Sequence, residues 1–249
     1  MANKITHLPE HKRKLLETLV EKLSKITGVS AVVLGGSYAS RTHHAKSDMD
    51  IGIYYCEVNP FSIAEIRSIA DSVSQGGKTT VTGFYEWGAW IKTQQGKVDF
   101  LYRNLDQVQR TIQEAQQGIV HHDYNQQPTF GFYSVIYLAE TQVCIPLYDP
   151  DEHIAKLKHQ VAVYPQKLRR RIIADSLWAA EFTLLFARDY ADQGDIYNTV
   201  GCFARVASNL TQTLFALNER YFMRDKHVLD TVANFEQLPA DYIQETERI

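Results

Sequence analysis

Cysteine is scarce in the 249-residue chain, with only Cys56, Cys144 and Cys202, and these stand far apart. Three scattered thiols supply neither a disulfide framework nor the paired spacing of a zinc site, and they suit a reducing compartment. No charged-then-apolar leader opens the sequence, and no apolar run approaches the ~20 residues of a bilayer span. The expected location is the cytoplasm. Charge of neither sign dominates: 26 Lys and Arg stand against 29 Asp and Glu, a net charge of -3. That balance leaves no electrostatic footprint for a polynucleotide and favours a small partner. Gly-x-x-x-x-Gly-Lys-Ser/Thr and Gly-x-Gly-x-x-Gly loops are also missing after any predicted strand, which excludes the P-loop and dinucleotide-binding cradles.

What is present reads as a soluble α+β chain. Hydrophobic residues at 45% and charged residues at 22% are ordinary globular values. From Pro9 a helix is expected, with Leu16, Leu19, Val20, Leu23 and Ile26 on one face and Gly28 at its end. Ser30–Leu34 and Asp50–Tyr55 read as strands, Ser62–Ser74 as a helix with Ile63, Ile66, Ile69, Ala70 and Val73 inward, and Thr79–Arg103 as a strand meander turning at Gln94–Lys97. Past Leu105 helical periodicity takes over. Ile173, Leu177, Ala180 and Leu184 form one expected inward stripe, and Phe203, Ala207, Leu210, Leu214 and Leu217 another. Gly194 and Asp195 stand between them to close one helix and cap the next. We therefore expect a mixed-sheet domain at 1–120 followed by an all-α helical bundle at 121–249.

The chemistry concentrates in Leu34-Gly35-Gly36-Ser37-Tyr38-Ala39-Ser40-Arg41 and Ser47-Asp48-Met49-Asp50. Glycines let backbone amides approach an anion, and Ser37 at the start of a short helix adds a hydroxyl and a helix N-terminus aimed at phosphate. Asp48 and Asp50 alternate with Met49, so on a strand both carboxylates face one way, roughly 7 Å apart at Cα. Two converging carboxylates repel unless a cation lies between them. Mg²⁺ suits such a pair because it takes one or two carboxylates and completes its shell with water and substrate phosphate. Asp99, flanked by Val98 and Phe100 on a predicted strand, is the candidate third ligand.

These residues resemble the nucleotidyltransferases of the DNA polymerase β superfamily. Together with Val98-Asp99-Phe100-Leu101-Tyr102-Arg103, Phe130-Gly131-Phe132, Pro146-Leu147-Tyr148-Asp149-Pro150 and Leu214-Phe215-Ala216-Leu217-Asn218, they make most of the chain similar to the bacterial aminoglycoside and lincosamide enzymes with a C-terminal helical domain. The resemblance implies a polymerase β-like domain and two Mg²⁺ ions on Asp48, Asp50 and Asp99. It implies phosphate binding by Gly36 and Ser37, and transfer of a nucleoside monophosphate, AMP from ATP being expected, to a small-molecule hydroxyl such as that of an antibiotic. Asp99 or Glu181 would take the hydroxyl proton. Where relatives often carry Arg-Gly after the alanine, this chain has Ser40-Arg41, so Arg41 becomes a candidate phosphate ligand. The competing readings are a regulatory, antitoxin-type protein acting on a partner protein, and a degenerate nucleotide binder. A homodimer is compatible with all of them.

Other signals have plainer readings. Glu86-Trp87-Gly88-Ala89-Trp90 could stack a ring, but aromatic runs in strands usually fill cores, and core is the expectation. His43-His44 and His121-His122 read as loop residues rather than metal pairs. The basic run Lys167–Arg171 and the acids Glu181, Asp189, Asp192 and Asp195 read as wet helix faces.

Overall fold

The computed structural model of the chain describes residues 5–44, 47–76, 80–81, 88–127 and 129–248. Helix α1 (Glu10–Leu23) opens it, Pro9 preceding the first turn, and buries Leu16, Leu19, Val20 and Leu23 as the periodicity requires. Strand β1 (Ala31–Leu34) is buried throughout, and the five-residue helix α2 (Gly36–Ser40) follows directly. Strand β2 (Met49–Tyr55) leads to α3 (Ile63–Val73), whose first turn is capped by the Ser62 hydroxyl accepting from the Glu65 amide. Strands β3 (Thr80–Val81), β4 (Gly88–Thr93) and β5 (Gly96–Asn104) complete the meander.

Then come α4 (Leu105–Gln116), the two-residue strands β6 (His122–Asp123) and β7 (Phe132–Tyr133), α5 (Val135–Val143), β8 (Ile145–Tyr148) and α6 (His153–Gln160). Two long helices dominate the remainder, α7 (Gln166–Asp192) and α8 (Ile196–Leu217), with short α9 (Val228–Val232) and α10 (Tyr242–Thr246) after them.

Two units form. One comprises residues 1–110 with 140–162, the other 111–139 with 163–249. The first holds a six-stranded sheet in the order β3-β4-β5-β2-β1-β8, with β2 and β5 parallel and the other pairs antiparallel. Strand β8 comes from beyond residue 120, so this sheet takes its edge from a segment that follows the expected end of the first domain. Ile51, Ile53, Val98, Phe100, Ala89 and Ile91 point to one face, where Leu16, Leu19 and Ile66 cover them with a continuous core. Strand alternation then sends Asp50, Asp99 and Trp90 to the other face.

The second unit holds β6, β7 and the α7–α8 hairpin. Gly194 adopts a positive φ of 71° at its turn, and the Asp195 carboxylate accepts from the Asn198 amide, so the sequence signals for this turn act as expected. The inward stripe of α7 differs from expectation. Leu177 and Leu184 are exposed, and the buried line is Leu168, Ile172, Ser176, Ala180, Thr183 and Ala187. From Ser176 onward the buried positions of α7 carry small side chains, and the bulky Leu177 and Leu184 lie outside that line. On α8 only Leu214 of the expected stripe is fully buried, alongside Val206, Thr211 and Phe215. No helix among the described residues is long and apolar enough to cross a membrane.

Candidate active site

Register builds the site. Gly35 follows β1 directly and its amide donates to the Asp50 carbonyl at 2.8 Å. Asp50 pairs with Asp99 across the parallel β2–β5 ladder, and Asp99 pairs with Trp90 across the antiparallel β5–β4 ladder. Directly opposed residues share a face. A single row therefore crosses four neighbouring segments: Gly35, Asp50, Asp99, Trp90. At ~4.8 Å per strand the row is roughly 14 Å long. Asp48, two residues before Asp50, lies close enough to Asp99 for their charges to interact.

The three acids are arranged unequally. Asp48 and Asp99 line an open cavity of about 280 Å³ together with Trp90, Ile91, Lys92 and Lys97. Asp50 instead lies over the Gly35–Ser37 turn, its carboxylate occupying the space that a Cβ on Gly36 would need. Gly36 also has a φ of 56°, so both its backbone and its missing side chain are required there. Among the described residues no three His, Cys, Asp or Glu side chains form a ready-made metal cluster. Two carboxylates on the cavity, with the third one register position away, match the sparse protein ligation that Mg²⁺ takes when phosphate supplies the other oxygens.

Asp99 does not sit at the ordinary carboxylate value. Burial, and then the Asp48 charge, push its carboxyl up to about 6, with Lys97 pulling the other way. Ser37 is buried at the start of α2. Arg41 is the residue after α2, exposed and left-handed at φ 60°, in the position where a glycine would be unstrained. Glu181 is exposed on α7 in the second unit.

Lys12 escaped the sequence reading although it sits on the apolar stripe of α1, four residues before Leu16. It is 6% exposed. Its ammonium donates to the Tyr38 hydroxyl at 2.6 Å and to the Ser47 carbonyl at 3.0 Å, tying α1 to the segment that leads into Asp48. A lysine in phase with leucines was the available signal. Trp90 departs from expectation in the opposite sense: it is 43% exposed, beside Asp99, and not in the core. Glu86 and Trp87 lie outside the described residues.

The remaining candidates serve structure. His43 stacks on Tyr38, with ring centroids 4.4 Å apart. His121 meets Glu114, and His122 stacks on Tyr133. Arg171 pairs with Asp175, and Asp195 is a cap. A larger open cavity of about 590 Å³ lies in the second unit between residues 117–120 and Lys167, Arg170 and Arg171, and no carboxylate lines it.

Comparison with known proteins follows this geometry. Residues 12–114 match the nucleotidyltransferase domain. The matched stretch contains the Gly35–Ser37 turn, Asp48, Asp50, Asp99 and Trp90, and residues 135–226 match a domain of unknown function (DUF4037). No curated protein matches the chain. Among solved structures, a nucleotidyltransferase-like protein from Exiguobacterium sibiricum 255-15 aligns over 95% of this chain and 69% of its own, with 9% identity and a TM-score of 0.42.

Proposed function

We propose that the chain moves a nucleoside monophosphate from a nucleoside triphosphate, ATP being the expected donor, to a hydroxyl of a small molecule, with pyrophosphate as the second product. The observation that carries this reading is the row Gly35–Asp50–Asp99, which sets a glycine turn beside two acids in register on one sheet face. Gly36 and Ser37 bind the β and γ phosphates, and Arg41 adds a cation at the end of α2. Asp48, Asp50 and Asp99 are the residues that would hold Mg²⁺. The donor set is all oxygen, and the upward push that Asp48 exerts on Asp99 is the repulsion a divalent cation relieves. When bound, such ions neutralise phosphate charge and acidify the attacking hydroxyl.

The acceptor oxygen bonds to the α phosphorus while the bond from that phosphorus to the bridging oxygen breaks, and pyrophosphate leaves with the electron pair. The hydroxyl proton passes to Asp99, the carboxylate that lines the cavity together with Asp48, a lining to which Glu181 does not contribute. This favours Asp99 over Glu181 as the base.

The test is pyrophosphate release from each of the four triphosphates, with Mg²⁺ and a panel of hydroxyl acceptors. Asp48→Asn and Asp50→Asn are expected to lower the rate by roughly 10³-fold or more with an unchanged circular dichroism spectrum. Full turnover in either variant removes the reading, and triphosphate binding without any release supports a nucleotide binder instead.

A further inference from the structure

We infer that the cavity between Asp99 and Trp90 is the acceptor subsite, and that it takes a ring-bearing hydroxyl compound carrying a phosphate group. The inference rests on the nucleotidyl-transfer reading and gives it a direction. In-line displacement puts the attacking and leaving oxygens on opposite sides of the α phosphorus. If the β and γ phosphates lie at Gly36 and Ser37, pyrophosphate departs toward the β1 end of the row, and the acceptor must enter from the other end. That end is Asp99, then Trp90.

The lining there describes the ligand. Trp90 presents an exposed indole on the same face as Asp99, in an open cavity of about 280 Å³. A flat apolar surface beside a reacting centre suits the face of a sugar or base ring. Lys92, two residues along β4 on the same face, is directly opposite Lys97. Like charges facing each other across a ladder are unfavourable. Neither ammonium makes a salt bridge among the described residues, and Lys97 acts on Asp99 through its field. Once divalent cations satisfy Asp48 and Asp99, these two lysines leave the acceptor end positive. A phosphate on the acceptor, one ring length from its reacting hydroxyl, satisfies them. A polycationic acceptor such as an aminoglycoside does not.

The experiment is calorimetric titration of the full-length protein, its triphosphate site saturated with a nonhydrolysable ATP analogue and Mg²⁺. The probes are matched pairs: glucose and glucose 6-phosphate, ribose and ribose 5-phosphate, adenosine and AMP, with kanamycin as the cationic arm. We expect the phosphorylated member of at least one pair to bind ten times tighter or more. The sugar and nucleotide pairs separate the two sources of a ring with a phosphate. Lys92→Gln with Lys97→Gln is expected to erase that preference. Trp90→Leu should weaken both members of the pair at least fivefold and Trp90→Phe should restore most of the loss, with analogue affinity unchanged within twofold throughout. Tighter binding of kanamycin, no phosphorylated preference in any pair, or equal loss of analogue affinity in the variants overturns the inference. Pyrophosphate release measured alongside separates the two ideas: release without a phosphorylated preference sinks the subsite alone, and a preference without release sinks the transfer reading.

Discussion

Replacing Asp99 with Asn should make the metal-free protein more stable while removing its response to metal and nucleotide. In the folded chain the Asp99 carboxyl is pushed from 3.8 up to about 6, first by burial and then by Asp48. At ~1.4 kcal/mol per pH unit, that rise corresponds to roughly 3 kcal/mol held against folding once the group is ionised. Part of the carboxylate faces solvent, and screening leaves on the order of 1.5 kcal/mol. Because the folded pKa is above the unfolded one, the native state holds its proton more tightly. The favourable contribution is complete below about 4 and is lost as pH rises through 6. Asn carries no such loss. At pH 7.5 in EDTA the variant should therefore melt about 3–6 °C higher than wild type, taking roughly 2–4 °C per kcal/mol for a domain of this size. At pH 4.5 the difference should shrink to within about 1 °C. Adding Mg²⁺ with a nonhydrolysable triphosphate should raise the wild-type midpoint and leave the variant nearly unmoved. Thermal melts followed by circular dichroism at the two pH values decide the matter. An equal midpoint at pH 7.5, or the same gain at both pH values, would refute the account of Asp99 as a strained, cation-seeking acid.

The other predictions are more local. Gly36→Ala should destabilise by more than ~2 kcal/mol in urea melts, because a Cβ there meets the Asp50 carboxylate as well as a positive φ. Arg41→Gly should gain ~0.5–1 kcal/mol by relieving the left-handed backbone, yet raise the KM for triphosphate severalfold if the guanidinium binds phosphate; unchanged kinetics would remove Arg41 from the site. The outward apolar side chains of the hairpin, among them Trp178, Leu185 and Tyr197, predict self-association. Sedimentation velocity at tens of micromolar should find a dimer that Leu185→Asp with Tyr197→Asp dissociates, and a wild-type monomer would count against this face as an interface.

How far the sequence carried the structure depends on which force acted at each position. Local signals were legible. Glycine and an acidic cap mark the α7–α8 turn, alternation marks β2 and β5, and β-branched continuity marks β1, because each reflects backbone preference or a hydrogen bond closed within a few residues. An acid between Val98 and Phe100 on a predicted strand marks Asp99, and the resemblance implies that it joins Asp48 and Asp50, but neither supplies the β2–β5 register. That register pairs residues 49 positions apart, Asp50 with Asp99, a long-range event with no local signature. Trp90 was misread for a related reason: an aromatic in a strand is usually core, and only the position of β4 next to β5 reveals that its face is the acidic one.

The error on α7 follows from the same limit. Large residues at helical spacing normally mark the buried face, but on α7 the buried line runs on through Ser176, Ala180, Thr183 and Ala187 while Leu177 and Leu184 are exposed, so side-chain size alone does not mark the inward side. Lys12 inverts that lesson. A lysine in phase with leucines is tolerated when its stem packs and its ammonium finds oxygens, here Tyr38 and the Ser47 carbonyl. Polar residues that violate a helix's apolar phase are therefore the places where sequence alone points to a tertiary contact, and in this chain that contact is next to the residue that leads into the acidic pair.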